Sequence, residues 1–351
     1  MATDSRNFQH AQQPVGLFVS APVAASDGQR LLDACAAAGL EAVLVVHDRS
    51  RAPTESELMR IDYALLSVDV IGESSKSFIE PELATFSDTL RRAPRLRWLQ
   101  VCSAGMDRGL YSELYDRGVR LSSGSGSNAL AVAQTAIAAV LALARGVPKW
   151  MQAQREHRWV PLRGALTPVA LEGQRAVVVG MGGIGTHIAR LLSALDVRVT
   201  GVRRASVPAT HFEHVVGFDA LDTVLPQADW VVLACPLTDE TRGLFNARRL
   251  TSMKPGARLI NVARGEIVDE EALADALRSG TLAGAYMDVF AVEPLPSASP
   301  LWDVPHLLIS PHSAGNSTQH QRNVIEMFRD NLQRLAGGQS PVNEWKPRTP
   351  T

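Results

Sequence analysis

With 351 residues, 46% apolar and 20% charged, the chain has material for two cores and is not a disordered polyelectrolyte. Its 35 lysines and arginines nearly balance 36 aspartates and glutamates, so no strong overall field draws it to nucleic acid or an anionic membrane, and any anion site must be local. Three scattered cysteines, Cys35, Cys102 and Cys235, form no C-x-x-C pair, and no histidines stand at metal-ligand spacing; the pattern argues against a disulfide framework and against zinc.

The opening, Met1 to Pro14, is polar and lacks an apolar leader core, and no apolar run approaches the ~20 residues needed to span a bilayer. The expectation is a cytoplasmic protein. From Val15 to Gly126 short apolar runs alternate with helical stretches: strands are predicted at Gly16–Val19, Ala42–Val46, Ala64–Val68 and Leu99–Cys102, with a helix over Arg30–Ala38. A helix apolar nearly all round follows, with Asn128 as N-cap and Gly146 and Pro148 closing it; its Leu130, Val132, Ile137, Val140, Leu141 and Leu143 call for burial on most sides.

After an irregular stretch from Arg155 to Pro168, a second alternation begins, with strands predicted at Ala176–Val179, Val197–Val202, Trp230–Ala234, Arg258–Val262, Gly284–Val289 and Leu307–Ile309. One intervening helix begins at Asp269, carries Leu273 and Leu277 inward and stops at Gly280. Repeated βα units on this scale predict mostly parallel, doubly wound sheets. The last helix, with Val324, Phe328, Leu332 and Leu335 on one stripe, is expected to return to the first domain. The predicted division is 1–127 with 315–351, and 128–314, with a loosely ordered tail from Ser340.

Two kinds of motif carry chemistry. Gly180-Met181-Gly182-Gly183-Ile184-Gly185 fits G-x-G-x-x-G between a strand and a helix: Gly180 for the tight turn, Gly182 for close approach of a pyrophosphate, Gly185 for helix–strand packing, with the helix N-terminus meeting the phosphates. The next strand ends at Arg203-Arg204, where an NAD site usually carries an acid for the ribose hydroxyls. Arg203 suits the 2′-phosphate of NADP bidentately with Arg204 assisting, so NADP is the preferred cofactor and NAD the alternative. Three further segments close predicted strands, where open α/β sheets bind ligands: Asn261-Val262-Ala263-Arg264-Gly265, Asp288 to Pro294 with Glu293, and Ser310 to Gly315 with His312.

With the glycine turn, these segments resemble the D-isomer-specific 2-hydroxyacid dehydrogenase family over nearly the whole chain, closest in character to NADP-preferring glyoxylate/hydroxypyruvate reductases. The resemblance implies an α/β fold of two Rossmann-like domains, a dinucleotide domain inserted into a discontinuous flavodoxin-like substrate domain. It also implies that Arg264 binds the substrate carboxylate and keto oxygen, that His312 is the general acid/base, and that Glu293 is its partner. By the same likeness Ser103, Ala104 and Gly105 hold the substrate carboxylate, while Asp288 receives the nicotinamide carboxamide. Cys235, Pro236, Thr241, Val262, Ala263 and Ala314 line the cofactor. The implied activity is reversible reduction of a small 2-keto acid by a homodimer. Gln134-Thr135 stand where the family often has Glu-His, and Glu293 separates the chain from the formate dehydrogenase branch. A dinucleotide-sensing corepressor-type protein is the rival reading, because that class shares the fold and the Arg, Glu and His set. Trp159, Trp302 and Arg163 are candidates to line the substrate pocket.

Overall fold

The structure, a computed structural model, describes residues 13–74, 78–205 and 207–346. The polar opening stretch lies, through residue 12, outside them. The strands run in chain order as β1 (Val15–Ser20), β2 (Ala42–His47), β3 (Tyr63–Leu66), β4 (Trp98–Val101), β5 (Arg120–Ser122), β6 (Arg175–Val179), β7 (Arg198–Val202), β8 (His214–Val216), β9 (Trp230–Leu233), β10 (Arg258–Asn261), β11 (Gly284–Met287), β12 (Leu307–Ile309) and β13 (Glu344–Trp345). The chain divides into two compact units, one running up to Asn128 and resuming at Ser317, the other Ala129–Asn316.

The first unit carries a sheet of order β13-β5-β4-β3-β1-β2, parallel except for β13. Strands β1, β3 and β4 are buried along their whole length, as a strand covered on both faces must be. One face packs around Phe86, Leu90, Tyr111 and Leu114, the other around the helices Ala21–Ala37 and His320–Ala336. Val324, Phe328, Leu332 and Leu335 are all fully buried, and the Phe328 ring stacks on Trp98 with centroids 4.9 Å apart. The helix at Ala21 starts well before the expected Arg30, because Ser20 caps it, accepting from the Val23 N–H, and Pro22 sits in its first turn.

From Ser340 to Lys346 the tail departs from the expected loose ordering, while residues 347–351 lie outside the described ones. Asn331, fully buried, accepts the Val342 N–H through Oδ1 and donates from Nδ2 to Gln100, and Asn343 donates to the Ser125 carbonyl. These bonds seat β13 antiparallel on β5, a two-residue strand too short for any periodic signal.

The second unit is a wholly parallel sheet of order β12-β11-β10-β9-β6-β7-β8. The strand order reverses between β6 and β9, and a ligand crevice forms at that point in sheets of this topology. The helix Ala129–Arg145 buries Val132, Ala133, Ala136, Ile137 and Val140 against one face, but Leu130 and Leu141 are 43% and 37% exposed, so it is covered on fewer sides than its composition suggests. Gly146, at φ +71°, ends it, and Pro148 starts a further helix, Val147–Arg155, rather than simply closing the first. Among the described residues no single helix is long and apolar enough to cross a membrane.

Candidate active site

The turn after β6 is built by what its residues lack. Gly180 adopts φ +98°, and a Cβ there would lie 2.6 Å from the carbonyl carbon and oxygen of Ala234 and from the Cα of Cys235, the residues leaving β9. Only glycine brings the two sides of the crevice this close. A Cβ on Gly185 would meet the Gly180 carbonyl oxygen at 1.9 Å. Gly182 differs: nothing in the protein lies within 4 Å of its missing Cβ. It is the N-cap of the helix Gly183–Ser193, and no side chain caps that helix. The first-turn N–H groups and the positive end of the helix dipole therefore face open space bare of side chain, the arrangement that accommodates a pyrophosphate. The residues present fit a dinucleotide.

At the end of β7 the Arg203 guanidinium donates from Nε to the Ala205 carbonyl at 2.8 Å and from Nη2 to the Val207 carbonyl at 2.7 Å. The Nε–Nη2 edge thus shapes its own loop, where the sequence suggested a bidentate grip on phosphate. Arg204 beside it is exposed and bonds to none of the described residues. Thr241, also expected to line the cofactor, is buried; its hydroxyl donates to the Pro236 carbonyl at 2.7 Å and accepts the Thr238 N–H at 2.8 Å, closing a turn of its own. Cys235 is buried and pushed up to about 11 by desolvation, and Cys35 and Cys102 are raised for the same reason. None of the three thiols is a ready nucleophile.

Past β10, the fully buried Asn261 stitches the backbone: Oδ1 accepts the Ala263 N–H and Nδ2 donates to the Arg264 carbonyl, both at 3.0 Å. Arg264 donates from Nη1 to the Ala263 carbonyl at 2.7 Å. A Cβ on Gly265 would lie 1.9 Å from the carbonyl carbon of Phe290 and 2.2 Å from the Ala291 nitrogen. The Arg264 turn therefore lies directly against the turn that carries Glu293, and only glycine allows it.

Past β12, His312 sits at φ +49°, an uncommon conformation for a residue with a side chain. The surroundings hold it there. Its N–H donates to the Asp288 carbonyl at 2.7 Å, and the Asp288 carboxylate, buried, accepts from the Ser310 hydroxyl and from the Ser313 and Ala314 N–H groups at 2.9 and 3.0 Å. Tyr286, buried and pushed up to about 12 chiefly by desolvation, bonds the same Ser310 hydroxyl at 2.6 Å. Asp288, expected to receive the carboxamide, thus grips the histidine loop in this structure.

The side chains then meet. His312 Nδ1 lies 2.7 Å from Glu293 Oε2, while Glu293 Oε1 accepts the Phe290 N–H at 2.9 Å. An ionised carboxylate only accepts, so Nδ1 carries the proton and donates, leaving Nε2 as the atom that can exchange a proton with a ligand. The histidine side chain is half exposed and the glutamate 17% exposed. Of the sequence-predicted residues, Arg264, Glu293 and His312 thus stand on three mutually braced turns. The bracing role of Asn261, Ser310 and Tyr286, and of Glu270, which accepts the Ala291 N–H at 2.7 Å, is not assigned by any motif.

In the other unit, the loop after β4 is tied by backbone and short side chains: Ser103 Oγ donates to the Gly105 carbonyl at 3.0 Å, and the Gly124 N–H donates to the Ser103 carbonyl at 2.8 Å. Ala104 is exposed and Gly105 partly so. Of the pocket candidates, Trp159 is 96% exposed, Arg163 is exposed, and Trp302 donates its indole N–H to the Pro296 carbonyl.

A parallel sheet of this order, with a bare glycine turn at its switch point and an arginine, a histidine and a carboxylate at successive strand ends, defines a nicotinamide-dinucleotide-dependent oxidoreductase. The family model for the D-isomer specific 2-hydroxyacid dehydrogenase NAD binding domain matches residues 137–314. A glyoxylate reductase of Thermofilum pendens is 34% identical over 259 residues, covering 73% of this chain and 76% of that protein. The crystal structure of a D-isomer specific 2-hydroxyacid dehydrogenase family protein from Aeromonas salmonicida superposes with a TM-score of 0.74 at 28% identity, over 95% of this chain and 99% of that one. A family member from Xanthobacter autotrophicus Py2, solved with NADPH and MES, is 30% identical with a TM-score of 0.69 over 95% and 98%. The chain belongs to the D-isomer-specific 2-hydroxyacid dehydrogenase family, nicotinamide-dependent oxidoreductases whose substrates are small 2-hydroxy acids.

Proposed function

We propose that this protein reduces a small 2-keto acid of the glyoxylate/hydroxypyruvate class to the D-2-hydroxy acid, reversibly, with NADPH preferred over NADH. The observation that carries the reading is the 2.7 Å pairing of His312 Nδ1 with Glu293 on a turn packed against the Arg264 turn. Gly180, Gly182, Gly183, Ile184 and Gly185 would hold the pyrophosphate, with Val262, Ala263 and Ala314 alongside the nicotinamide ribose; when bound, the cofactor supplies the hydride. Arg264 binds the substrate carboxylate and the keto oxygen, and its fixed charge gains strength as negative charge grows on that oxygen. His312 delivers the proton from Nε2, and Glu293 keeps the ring in the tautomer that makes this possible.

The NADP preference rests on Arg204, whose charge no described acid neutralises, and on the absence of an acid at the end of β7. The NADPH complex of the Xanthobacter relative supports it. The exposed Leu130, Leu141, Trp150 and Met151 on consecutive helices of the dinucleotide unit support a homodimer. A spectrophotometric assay of NADPH and NADH oxidation with glyoxylate, hydroxypyruvate, pyruvate and phenylpyruvate tests the activity. Turnover is expected to be fastest with the two smallest polar acids. Tight NADPH binding with no turnover on any of the four would instead identify a sensor.

A further inference from the structure

We propose that Glu270 is a positioning residue for the reaction, holding Glu293 and through it the His312 ring by accepting the Ala291 N–H. The inference rests on the reading of His312 and Glu293 given above. Glu270 is the first residue of the helix Glu270–Arg278, whose N-cap is Asp269, accepting the Ala272 N–H at 3.0 Å. An acid at that place ordinarily points to solvent and serves the helix dipole. Here it does not: Glu270 is half-buried, and its Oε1 accepts the Ala291 N–H at 2.7 Å.

The location makes that bond informative. Burial pushes the Glu270 carboxyl up, and the charges of Glu266, Glu293 and Asp269 push the same way, while no cation pairs with it among the described residues. A carboxylate kept among other carboxylates without a counter-ion is not there for charge pairing. Its one side-chain hydrogen bond among the described residues goes to the turn that matters: Phe290 donates to Glu293 Oε1 at 2.9 Å, and Ala291, the next residue, donates to Glu270. Gly265 lets the backbone of this turn lie against the Arg264 turn. Glu270 follows Arg264 by six residues on the same connection, so the single acceptor fixes the spacing between the arginine turn and the Glu293–His312 pair.

Glu270→Gln and Glu270→Met are nearly isosteric and both remove the charge, but only glutamine keeps an oxygen acceptor. The expected result is kcat within about twofold of wild type for Glu270→Gln and roughly tenfold lower for Glu270→Met, the order that displacing a catalytic group costs, with KM for NADPH unchanged in both. In a Glu293→Gln background the difference between the two should vanish, because Glu270 acts through Glu293. Equal kcat for the pair, or a difference that survives intact in that background, would overturn the proposal. NADPH binding followed by fluorescence reports folding, and Glu270→Ala replaces the methionine variant if the latter fails to bind. His312→Asn, run alongside, separates the failures. A loss of 100-fold or more there with an indistinguishable Glu270 pair sinks only this inference; unchanged activity sinks the assignment of His312 beneath it.

Discussion

The turn after β6 and the turns after β10, β11 and β12 solve opposite problems on one sheet. The first works through the positions that lack a side chain: Gly180 and Gly185 have no room for a Cβ, and Gly182 keeps the approach to the helix N-terminus open. The others work by holding side chains still, with Asn261, Asp288, Glu270 and Ser310 bonding backbone or one another so that Arg264, Glu293 and His312 keep their places. A dinucleotide is long and gripped at many points, so backbone suffices for it. A proton transfer depends on one atom, Nε2, and tolerates little displacement.

Removing the charge that the braced turns exist to present should have the largest effect. Arg264→Met is expected to lower kcat/KM for the keto acid by roughly 100- to 1000-fold while NADPH binding stays within threefold; a loss under tenfold would show that the guanidinium does not meet the substrate. At the glycine side the sharper probe is Arg204→Asp, which should cut the kcat/KM ratio of NADPH to NADH by about 10- to 100-fold, the worth of a charged hydrogen bond. Arg203→Asp should cut it as well, but by releasing the loop carbonyls of Ala205 and Val207, and so should also raise KM for NADH. If Arg203→Asp leaves NADH unaffected, its loop contacts are incidental.

The smallest expected effect concerns the other unit. His320 lies within hydrogen-bonding distance of the Cys102 carbonyl and the Ser127 hydroxyl, at 3.2 and 3.1 Å, and burial holds its imidazole below the usual range. The unfolded chain then binds the proton more readily than the folded one. Its contribution to stability is whole above about pH 6.5, the unperturbed value, and declines as pH falls toward the folded value. Urea midpoints of wild type and His320→Gln compared at pH 7.5 and 5.5 should converge at the acid end; a constant gap would contradict the assignment.

The same contrast decides what is legible in the sequence. The glycine turn is readable in full, because a backbone requirement for glycine admits one residue type and the flanking strand and helix are periodic. Arg264, Glu293 and His312 are readable as a set at strand ends. Their supports are not. Glu270 looks like an ordinary first-turn acid, Asn261 is one more polar residue closing a strand, and Asp288 carries a family role that hides its grip on the Ser313 and Ala314 N–H groups. The hold of Arg203 on the Ala205 and Val207 carbonyls is not legible either, because these partners come from a loop whose path no local pattern encodes. Strands β5, β8 and β13, of two or three residues, are fixed by pairing rather than by periodicity.

The central claim is that Nε2 of His312 exchanges the proton that accompanies reduction, and the direct measurement is kcat against pH in both directions. Reduction needs the protonated ring and oxidation the neutral one. Reduction should therefore fall and oxidation rise over one shared pH interval, and His312→Asn should flatten both curves. Profiles that rise and fall together, or that keep their shape in His312→Asn, would contradict it.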